Sequence, residues 1–554
     1  MDGDLKIVTP AGFKPGSSFC ERLWIPTFET VSQLRPGNLM FGFKFQFICK
    51  HVKLLCAIVA PRTGGAMAYR HGTDRRQLMV LPPTLDQYVS QEHPVRAYDA
   101  FVDALNVREL GIELDERKVG NSEYDPRSML KLLLYGYSYG VKSSRKLERE
   151  LHNNLSFIWL MKQLKPDHKT IAEFRRKNKE ALKKALSLCA RLCMKLGLIE
   201  GNILFADSTK LRANAGKSHL HKKGWYEEKL QEIEERIQCL LNECEQIDRG
   251  ESDCGSLVAM SQELAKAEKL KESVKEALGE FAERGDKTKD GVDRKVNRVD
   301  PDSVMVKSPQ GTHCGYSMQS VVDDQNGLIA HVDVVSEAND SNQLAVQICG
   351  AEDDLGRECN IACADAGYSD TTEIAELELA GKTVVVPSQS QASHQDTEIR
   401  PFDKSKFTYD ADSDHYVCPE GHRLIFRRFQ DKAKQKRDYR IDKPCKCRSC
   451  RHFGACTKSK QGRTVTRHIS EKIRETVSRR FEEPEILQIY KRRKARVEHP
   501  FGFIKKVLGY GQFLLRGRQG VRAEASMLAT CFNLRRMITL LGGVAGFIAA
   551  LKIA

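Results

Sequence analysis

The sequence has little proline and no long hydrophobic run, and these two features exclude several classes of protein. Its 554 residues include 18 prolines and 39 glycines, with 41% hydrophobic and 29% charged residues. This composition excludes collagen-like, disordered and membrane-embedded chains. The longest apolar stretch, residues 537–551, is shorter than the about 20 residues that a membrane helix needs, so we interpret it as a core-packing helix. No signal peptide is recognisable, and we expect a soluble globular protein with no membrane partner.

The sequence also has no disulfide framework, and its charges are not balanced. Most of its 18 cysteines lie singly, as reduced cytosolic thiols do, and a cytoplasmic, nucleoid-associated location is expected. The net charge is +15, although residues 225–284 carry 16 acidic against 8 basic side chains, so the rest of the chain has a net charge of +23. Because clustered lysines and arginines release counterions from phosphates, the first partner to expect is a polyanion such as DNA. The acidic segment is expected to project away from it.

The N-terminal third of the chain contains two segments that differ in hydrophobic periodicity. Residues 1–66 have no clear periodicity, and we interpret them as an irregular extension translated from upstream of a natural start at Met67. Residues 67–200 are predicted to be helical and to bind DNA ends, with residues 167–182 forming a helix that exposes Arg175 and Arg176. A helix-turn-helix DNA reader and a plain helical bundle with a solvated basic face fit this pattern equally well.

Residues 201–540 alternate between strand and helix patterns, which predicts an α/β fold. Strands are predicted over residues 203–207, 316–322, 329–335, 361–365 and 383–386, and helices over 343–355 and 372–379. A heptad pattern predicts a helical hairpin over residues 225–285. Residues 400–465 form a polar, basic, cysteine-rich insert. Residues 470–510 are predicted to be helical with breaks near Pro484 and Pro500, and residues 541–554 are a C-terminal tail.

Two aspartates share one sequence context. Asp207 and Asp365 each close a short apolar run and are each followed by small or turn-forming residues. A single aspartate at a strand end is usually a turn or cap residue, whereas two in matched contexts suggest a shared cation, since paired carboxylates are costly without one. Oxygen ligands favour Mg²⁺ or Mn²⁺, and two such ions stabilise the attacking and leaving oxygens of a phosphodiester.

A third acid, Glu498, lies within a strongly basic segment. Seven residues separate Glu498 from Lys505, about two helical turns, so both side chains share one face if the helix continues past Pro500. Glu498 is either an exposed residue whose ion pair contributes under ~1 kcal/mol to stability, or a metal ligand that faces DNA. The basic residues of the segment are Lys491, Arg492, Arg493, Lys494, Arg496 and Lys505.

Four cysteines of the insert have metal-ligand spacing. Cys418, Cys447, Cys450 and Cys456 form Cys-x28-Cys-x2-Cys-x5-Cys. This spacing suits tetrahedral Zn²⁺, with Cys445 or His422 as substitutes for one ligand, and buried free thiols are the alternative. A bound Zn²⁺ would fold a small insert that has little core of its own.

Seven ordered motifs between Met67 and Leu540 resemble those of bacterial insertion-sequence transposases of the DDE type. The closest group lies within the insertion-sequence-five superfamily and carries an extra helical segment after the first catalytic Asp. The motifs are Met67-Ala-Tyr-Arg-His-Gly, Leu81-Pro-Pro-Thr-Leu, Ser143-Ser-Arg-Lys-Leu-Glu, Pro166-Asp-His-Lys-Thr-Ile-Ala-Glu-Phe-Arg175, Ala206-Asp-Ser-Thr-Lys-Leu-Arg-Ala-Asn-Ala215, Ala364-Asp-Ala-Gly-Tyr-Ser369 and Arg496-Val-Glu-His-Pro-Phe-Gly502.

The resemblance implies a ribonuclease-H-like catalytic core in residues 201–540, in which Asp207, Asp365 and Glu498 hold two Mg²⁺ or Mn²⁺ ions. It implies cleavage at the ends of an element, joining of the freed 3′-hydroxyls to target DNA, and at least a homodimer. Two other readings remain open, a catalytically inactive derivative that only occupies element ends and a nuclease that never rejoins strands.

The resemblance also assigns contacts to the last helix. Arg493 and Lys505 would grip phosphates, with Lys494 and Arg496 beside them, and Tyr490 would contact a displaced nucleotide or play a structural role. The gap between Arg493 and Glu498 is one residue longer than the usual pattern of the family, and Lys494 occupies the register position instead.

Overall fold

The structure is a computed structural model, and it describes residues 84–106, 108–112, 123–248, 257–288, 291–308, 311–393, 402–431 and 436–553. The predicted extension over residues 1–66, the motif at Met67, most of the motif at Leu81 and residues 249–256 of the predicted helical hairpin lie outside these residues. The chain forms a mixed α/β fold that is preceded by a helical region.

Six helices make up the N-terminal region. The second of them begins at a polar cap: Asp125 accepts the N–H groups of Arg127 and Ser128, with Pro126 at the first helical position. The predicted helix over residues 167–182 is interrupted at Asn178, which separates the fifth helix from the sixth. The helices are α1 (Val95–Ala104), α2 (Pro126–Ser138), α3 (Ser144–Asn153), α4 (Leu155–Leu160), α5 (His168–Lys177) and α6 (Lys179–Lys195).

A six-stranded mixed sheet follows; five of its strands overlap the predicted segments, whereas the strand over residues 304–308 was not predicted. The order is β4-β5-β1-β7-β8, and β6 pairs with β5 beside β4. β5 is antiparallel to β1 and β6, whereas β7 is parallel to β1 and β8. The strands are β1 (Ile203–Arg212), β4 (Val304–Ser308), β5 (Gly311–Asp323), β6 (Ile329–Val335), β7 (Ile361–Cys363) and β8 (Thr383–Val385). Helices α9 (Leu344–Leu355), α10 (Thr371–Leu379) and α11 (Gln389–Ser393) lie between or after them.

Two long helices, α7 (Lys223–Asp248) and α8 (Leu257–Arg284), pack against each other between β1 and β4. Their contact uses the predicted apolar positions, including Ile233, Val274 and Phe281. The short strands β2 (Leu220–His221) and β3 (Val296–Asn297) pair where the chain enters and leaves the two helices.

The cysteine-rich segment forms a second sheet that the sequence analysis did not predict. It is antiparallel, in the order β13-β12-β11-β10-β9. Aromatic residues such as Tyr416 and Tyr439 alternate with polar residues and bury one face of this sheet. Such alternation is difficult to recognise in a sequence when a strand has only three residues. The elements are β9 (Thr408–Asp410), β10 (His415–Val417), β11 (Arg423–Asp431), β12 (Lys436–Ile441), α12 (Pro444–Arg448) and β13 (Thr464–His468).

Four helices complete the chain: α13 (Glu471–Arg480), α14 (Pro484–Gly502), α15 (Arg518–Leu540) and α16 (Val544–Leu551). The expected break near Pro500 is wrong, because α14 continues through this proline and passes into a π turn, Phe503–Val507. α15 is largely buried and packs on α6, α2 and β6. One hydrophobic core therefore joins the N-terminal helices to the mixed sheet.

No single described helix is long and apolar enough to cross a membrane; only the bent pair α15 and α16 together meets that length and composition.

Candidate active site

Two aspartates lie at the same level of two neighbouring parallel strands. β1 and β7 pair in parallel, and Phe205 opposite Cys363 is the last pair in register. Asp207 and Asp365 each follow two residues later, so both reach the same region of the sheet. β1 continues to Arg212, and Asp207 therefore lies within the strand rather than at its end. The structure thus brings these two predicted residues together.

Asp207 is held between a backbone N–H and a guanidinium. The N–H of Ser208 donates to one carboxylate oxygen over 2.7 Å, and Nη1 of Arg493 lies 3.1 Å from the other. Burial raises the pKa of Asp207 to about 6. The positive charge of Arg493 lowers this pKa, whereas the negative charges of Asp365 and Asp340 raise it. A bound cation would stabilise the charged form of this buried carboxyl.

Asp365 caps the short turn that follows β7. Its Oδ1 accepts the N–H of Gly367 over 2.8 Å. A Cβ at position 367 would lie 2.9 Å from this oxygen, so a larger residue there would push the carboxylate aside. The small residues after Asp365 therefore fix the direction of its side chain.

A third carboxylate, Asp340, belongs to the same cluster, and the sequence analysis missed it. Asp340 accepts hydrogen bonds from Nζ of Lys210 and Nε2 of Gln319, each 2.9 Å long. Burial opposes ionisation, yet Lys210 holds the pKa of Asp340 below its usual range. The pairing of the strands indicates where Asp340 lies. β6 ends at Val335 opposite Ser317, and Ser317 in turn pairs with Lys210 on β1. The loop after β6 is therefore bound to lie beside β1.

The buried Tyr368 completes the cluster. Its hydroxyl donates to Oε1 of Gln319. Burial and the three neighbouring carboxylates raise the pKa of Tyr368, so the hydroxyl keeps its proton at neutral pH. Within this cluster three carboxylates therefore face two cations, Lys210 and Arg493.

α14 places an arginine and a tyrosine beside the aspartates. The Tyr490 ring packs edge-on against Phe481, with 4.9 Å between the centroids, and the Arg493 guanidinium lies 5.5 Å from the Tyr490 centroid. Arg493 pairs with Asp207, whereas Lys494 is exposed. In this structure Arg493, and not Lys494, is therefore the basic residue of α14 that faces the cluster.

Two more predicted basic residues lie farther along the same segment. Lys505 donates from the π turn to Oγ1 of Thr209, two residues beyond Asp207 on β1, and burial lowers the pKa of Lys505. Arg496 lies 3.6 Å from Asp324, a residue that also pairs with Arg492. Lys505 thus adjoins the cluster, while Arg496 anchors α14 to the sheet.

Glu498 lies on another face of α14. It is exposed, and it stands five residues after Arg493, which is about 140° around a helix of 3.6 residues per turn. The structure therefore brings Asp207 and Asp365 together without Glu498. In the part of the chain that the structure describes, no group of three or more histidine, cysteine or acidic side chains is arranged to hold a metal ion.

Arg175 and Arg176 are neighbours on α5 with opposite surroundings. Arg175 is 3% exposed and donates to the backbone oxygen of Lys142 over 2.8 Å and to the hydroxyl of Ser144. The prediction that Arg175 is exposed is wrong, because its guanidinium joins neighbouring segments of the helical region. Arg176 is exposed and pairs with Glu173 at 2.6 Å.

Alanine substitutions at these two positions are expected to separate stability from DNA contact. Arg175→Ala should destabilise the fold by about 1–3 kcal/mol, because buried acceptors lose their donor. Arg176→Ala should leave the melting temperature unchanged and, if α5 contacts DNA, reduce both the affinity and its salt dependence. Thermal melts and fluorescence anisotropy at several salt concentrations measure both effects, and equal melting temperatures would contradict the structural role of Arg175.

Four cysteines of the insert converge on one cavity. Cys418, Cys447, Cys450 and Cys456 line it together with His422. Cys445 is exposed and does not line the cavity, so this candidate substitute ligand lies apart from the other four.

Two family models match the chain. One, described as Transposase DDE domain, covers residues 417–538, and the other, described as Transposase domain (DUF772), covers residues 83–177. No curated protein and no solved structure matches. The first match includes α14, and such a domain implies a ribonuclease-H-like core and an enzyme that cuts and joins DNA, generally with divalent metal ions. The second covers α1 to α5, and the two matches together support an insertion-sequence transposase of the DDE type.

Proposed function

We propose that this transposase binds the ends of an insertion sequence, cleaves DNA strands by metal-dependent hydrolysis, and joins the 3′-hydroxyl ends to target DNA. The observation that carries the proposal is the matched position of Asp207 and Asp365 on adjacent parallel strands. The family matches cover other parts of the chain, so this geometry supports the proposal independently. The motif pattern assigns the chain to the insertion-sequence-five superfamily.

The carboxylates suit a hard divalent cation. Carboxylate oxygens are preferred ligands of Mg²⁺ and Mn²⁺. Burial is the main cause of the raised pKa of Asp207, and the nearby Asp365 and Asp340 add to it, so a cation shared with these carboxylates would stabilise the charged form. Asp207 and Asp365 would hold the ions together with Glu498, which lies on another face of α14 in this structure and would have to turn toward the sheet to join them. The ions would stabilise the charge on the attacking and departing oxygens of the phosphodiester.

Two basic residues beside Asp207 are suited to bind the phosphate next to the scissile bond. Arg493 lies on one side and Lys505 reaches Thr209 on the other. Nε of Arg493 is buried and has no hydrogen-bond partner among the described residues. A phosphate oxygen would satisfy this donor with a charge-assisted hydrogen bond. We therefore assign DNA positioning to Arg493 and Lys505, with the exposed Lys494 and the ring of Tyr490 beside them.

The remaining parts of the chain supply recognition and assembly. Residues 67–200 would bind the terminal repeats, and residues 201–540, interrupted by residues 225–285 and 400–465, would act on the DNA. Because two element ends must be cut together, the active complex would contain at least two copies of the chain. It would act on chromosomal DNA in the cytoplasm.

A strand-transfer assay tests this function directly. Labelled duplexes carry the sequences that flank the gene and end in either a 3′-hydroxyl or a 3′-phosphate, and a supercoiled plasmid serves as target. We expect cleavage at the element end in Mg²⁺ or Mn²⁺, and joining only from the 3′-hydroxyl. Cleavage without joining would indicate a nuclease, and binding without cleavage an inactive derivative. A chain that starts at Met67 shows whether the first 66 residues affect either step.

A further inference from the structure

The sheet formed by β9 to β13 has a small hydrophobic core. Its buried apolar residues are Phe407, Tyr416, Leu424, Tyr439, Ile441 and Val465. Cys418, Cys447 and Cys456 pack against this cluster. Units with so few buried side chains usually need a metal ion or a disulfide for stability.

Four cysteine side chains line one cavity next to this core. This cavity has a volume of about 30 Å³, which is room for one small ion or water molecule. All four are partly buried, unlike the exposed Cys445 two residues before Cys447. The lining cysteines are Cys418, Cys447, Cys450 and Cys456, accompanied by His422 and His452.

Backbone N–H groups point at three of these sulfur atoms. The nitrogen-to-sulfur distances are 3.3 to 3.5 Å, and the pairs are His422 with Cys418, Arg463 with Cys447 and His452 with Cys450. An N–H donor stabilises a thiolate, and the thiolate is the form of cysteine that binds metals. The surroundings of the sulfurs are therefore those of metal ligands.

Glycines allow the backbone to bend around the same sulfurs. Gly421 has a φ of +76°, in the turn where the N–H of Cys418 bonds the carbonyl of His422. Gly462 has a φ of +83°, and a Cβ there would lie 3.3 Å from Sγ of Cys447 and collide with Ile441. Both turns depend on glycine to bring the chain close to a cysteine.

We propose that Cys418, Cys447, Cys450 and Cys456 bind a structural Zn²⁺ ion. Four thiolates with a Cys-x2-Cys core are a preferred tetrahedral zinc set. The described residues do not arrange these sulfurs around one point, so binding requires the thiol side chains to rotate toward the cavity. Each thiol that binds releases its proton to solvent. The site would hold α12 and the β10–β11 turn against the small core, and it does not depend on the proposed DNA chemistry.

Metal analysis of the full-length protein tests the zinc site. After purification and dialysis we expect one Zn²⁺ per chain, and almost none in Cys447→Ser or Cys450→Ser. Cys445→Ser is the matched control and should retain the full amount, as should Asp207→Asn, so that loss of catalysis and loss of zinc are distinguished. Loading the wild-type chain with Co²⁺ should give the thiolate-to-cobalt absorption of a tetrahedral site.

Two results would overturn the zinc assignment. One is a wild-type chain that carries no zinc and shows no cobalt–thiolate absorption on titration. The other is an equal loss of zinc in Cys445→Ser and Cys447→Ser. Because the cobalt spectrum is recorded on the wild-type chain, the test remains decisive even if a serine variant fails to fold.

Discussion

Asp207→Asn is expected to abolish strand cleavage, with a loss on the order of 10³-fold or more, while DNA binding is retained. Asparagine has the shape of aspartate and can still accept the N–H of Ser208. It removes the negative charge that would hold the metal ions, and it leaves Arg493 without its ion-pair partner. Single-turnover cleavage and anisotropy with the same labelled duplex measure the two properties separately.

The matched control for this substitution is Asp333→Asn. Asp333 lies on β6 of the same sheet, is partly buried and pairs with Arg522 at 2.6 Å. This variant should lose stability and keep cleavage at a temperature where it is folded. Asp365→Asn should behave like Asp207→Asn. If Asp207→Asn cleaved DNA at the wild-type rate, the assignment of the site would be wrong.

The sequence predicted the core strands well, because buried strands consist of short apolar runs bounded by turn residues. Ile329–Val335 and the Asn326-Gly327 turn before it follow this rule, with Gly327 at a φ of +67°. Asp340 could not be found in this way, since a single aspartate in a polar loop resembles a cap. Only the pairing of β6 with β5, and of β5 with β1, shows where the loop that carries Asp340 must lie.

The misjudged Arg175 shows a second limit of pattern analysis. Arg175 stands four residues after the buried Ile171 and therefore shares its face of α5. The charge of the side chain suggested exposure. Its acceptors, including Tyr137 and the backbone oxygen of Lys142, lie more than thirty residues earlier in the chain. A buried arginine is recognisable only once these acceptors are positioned in space.

Glu498 lies in the regular part of α14, and a π turn follows it. In the π turn the N–H of Leu508 bonds the carbonyl of Phe503 over 3.0 Å, a spacing of five residues that inserts one extra residue into the helix. Lys505 then reaches the sheet, as Arg493 does. Glu498 lies before the extra residue and is left about 140° from Arg493.

A π turn placed before Glu498 would turn this side chain toward the sheet. If the wider turn lay between Arg493 and Glu498, it would take up one of the five residues that separate them, and Glu498 would lie about 40° from Arg493. Pro500 favours a π turn at that place, because it has no N–H to donate to the carbonyl of Arg496. The N–H of Phe501 is the next donor available to that carbonyl. We therefore expect the π turn to move toward Arg496 when DNA and metal bind, so that Glu498 joins the aspartates.

Two single-residue deletions are expected to separate these states of α14. Deleting Gly502 removes the extra residue after Glu498 and fixes this side chain away from the sheet, so cleavage should fall on the order of 10²-fold or more, as in Glu498→Gln. Deleting the exposed Ala495 removes the extra residue at a position before Glu498. Glu498 and Lys505 should then both face the sheet, and cleavage should remain within about tenfold of wild type. Circular dichroism and thermal melts establish that both variants are folded, and single-turnover cleavage compares them. Equal activity in the two variants, or an inactive but folded Ala495 deletion, would exclude a moving π turn as the route by which Glu498 reaches Asp207.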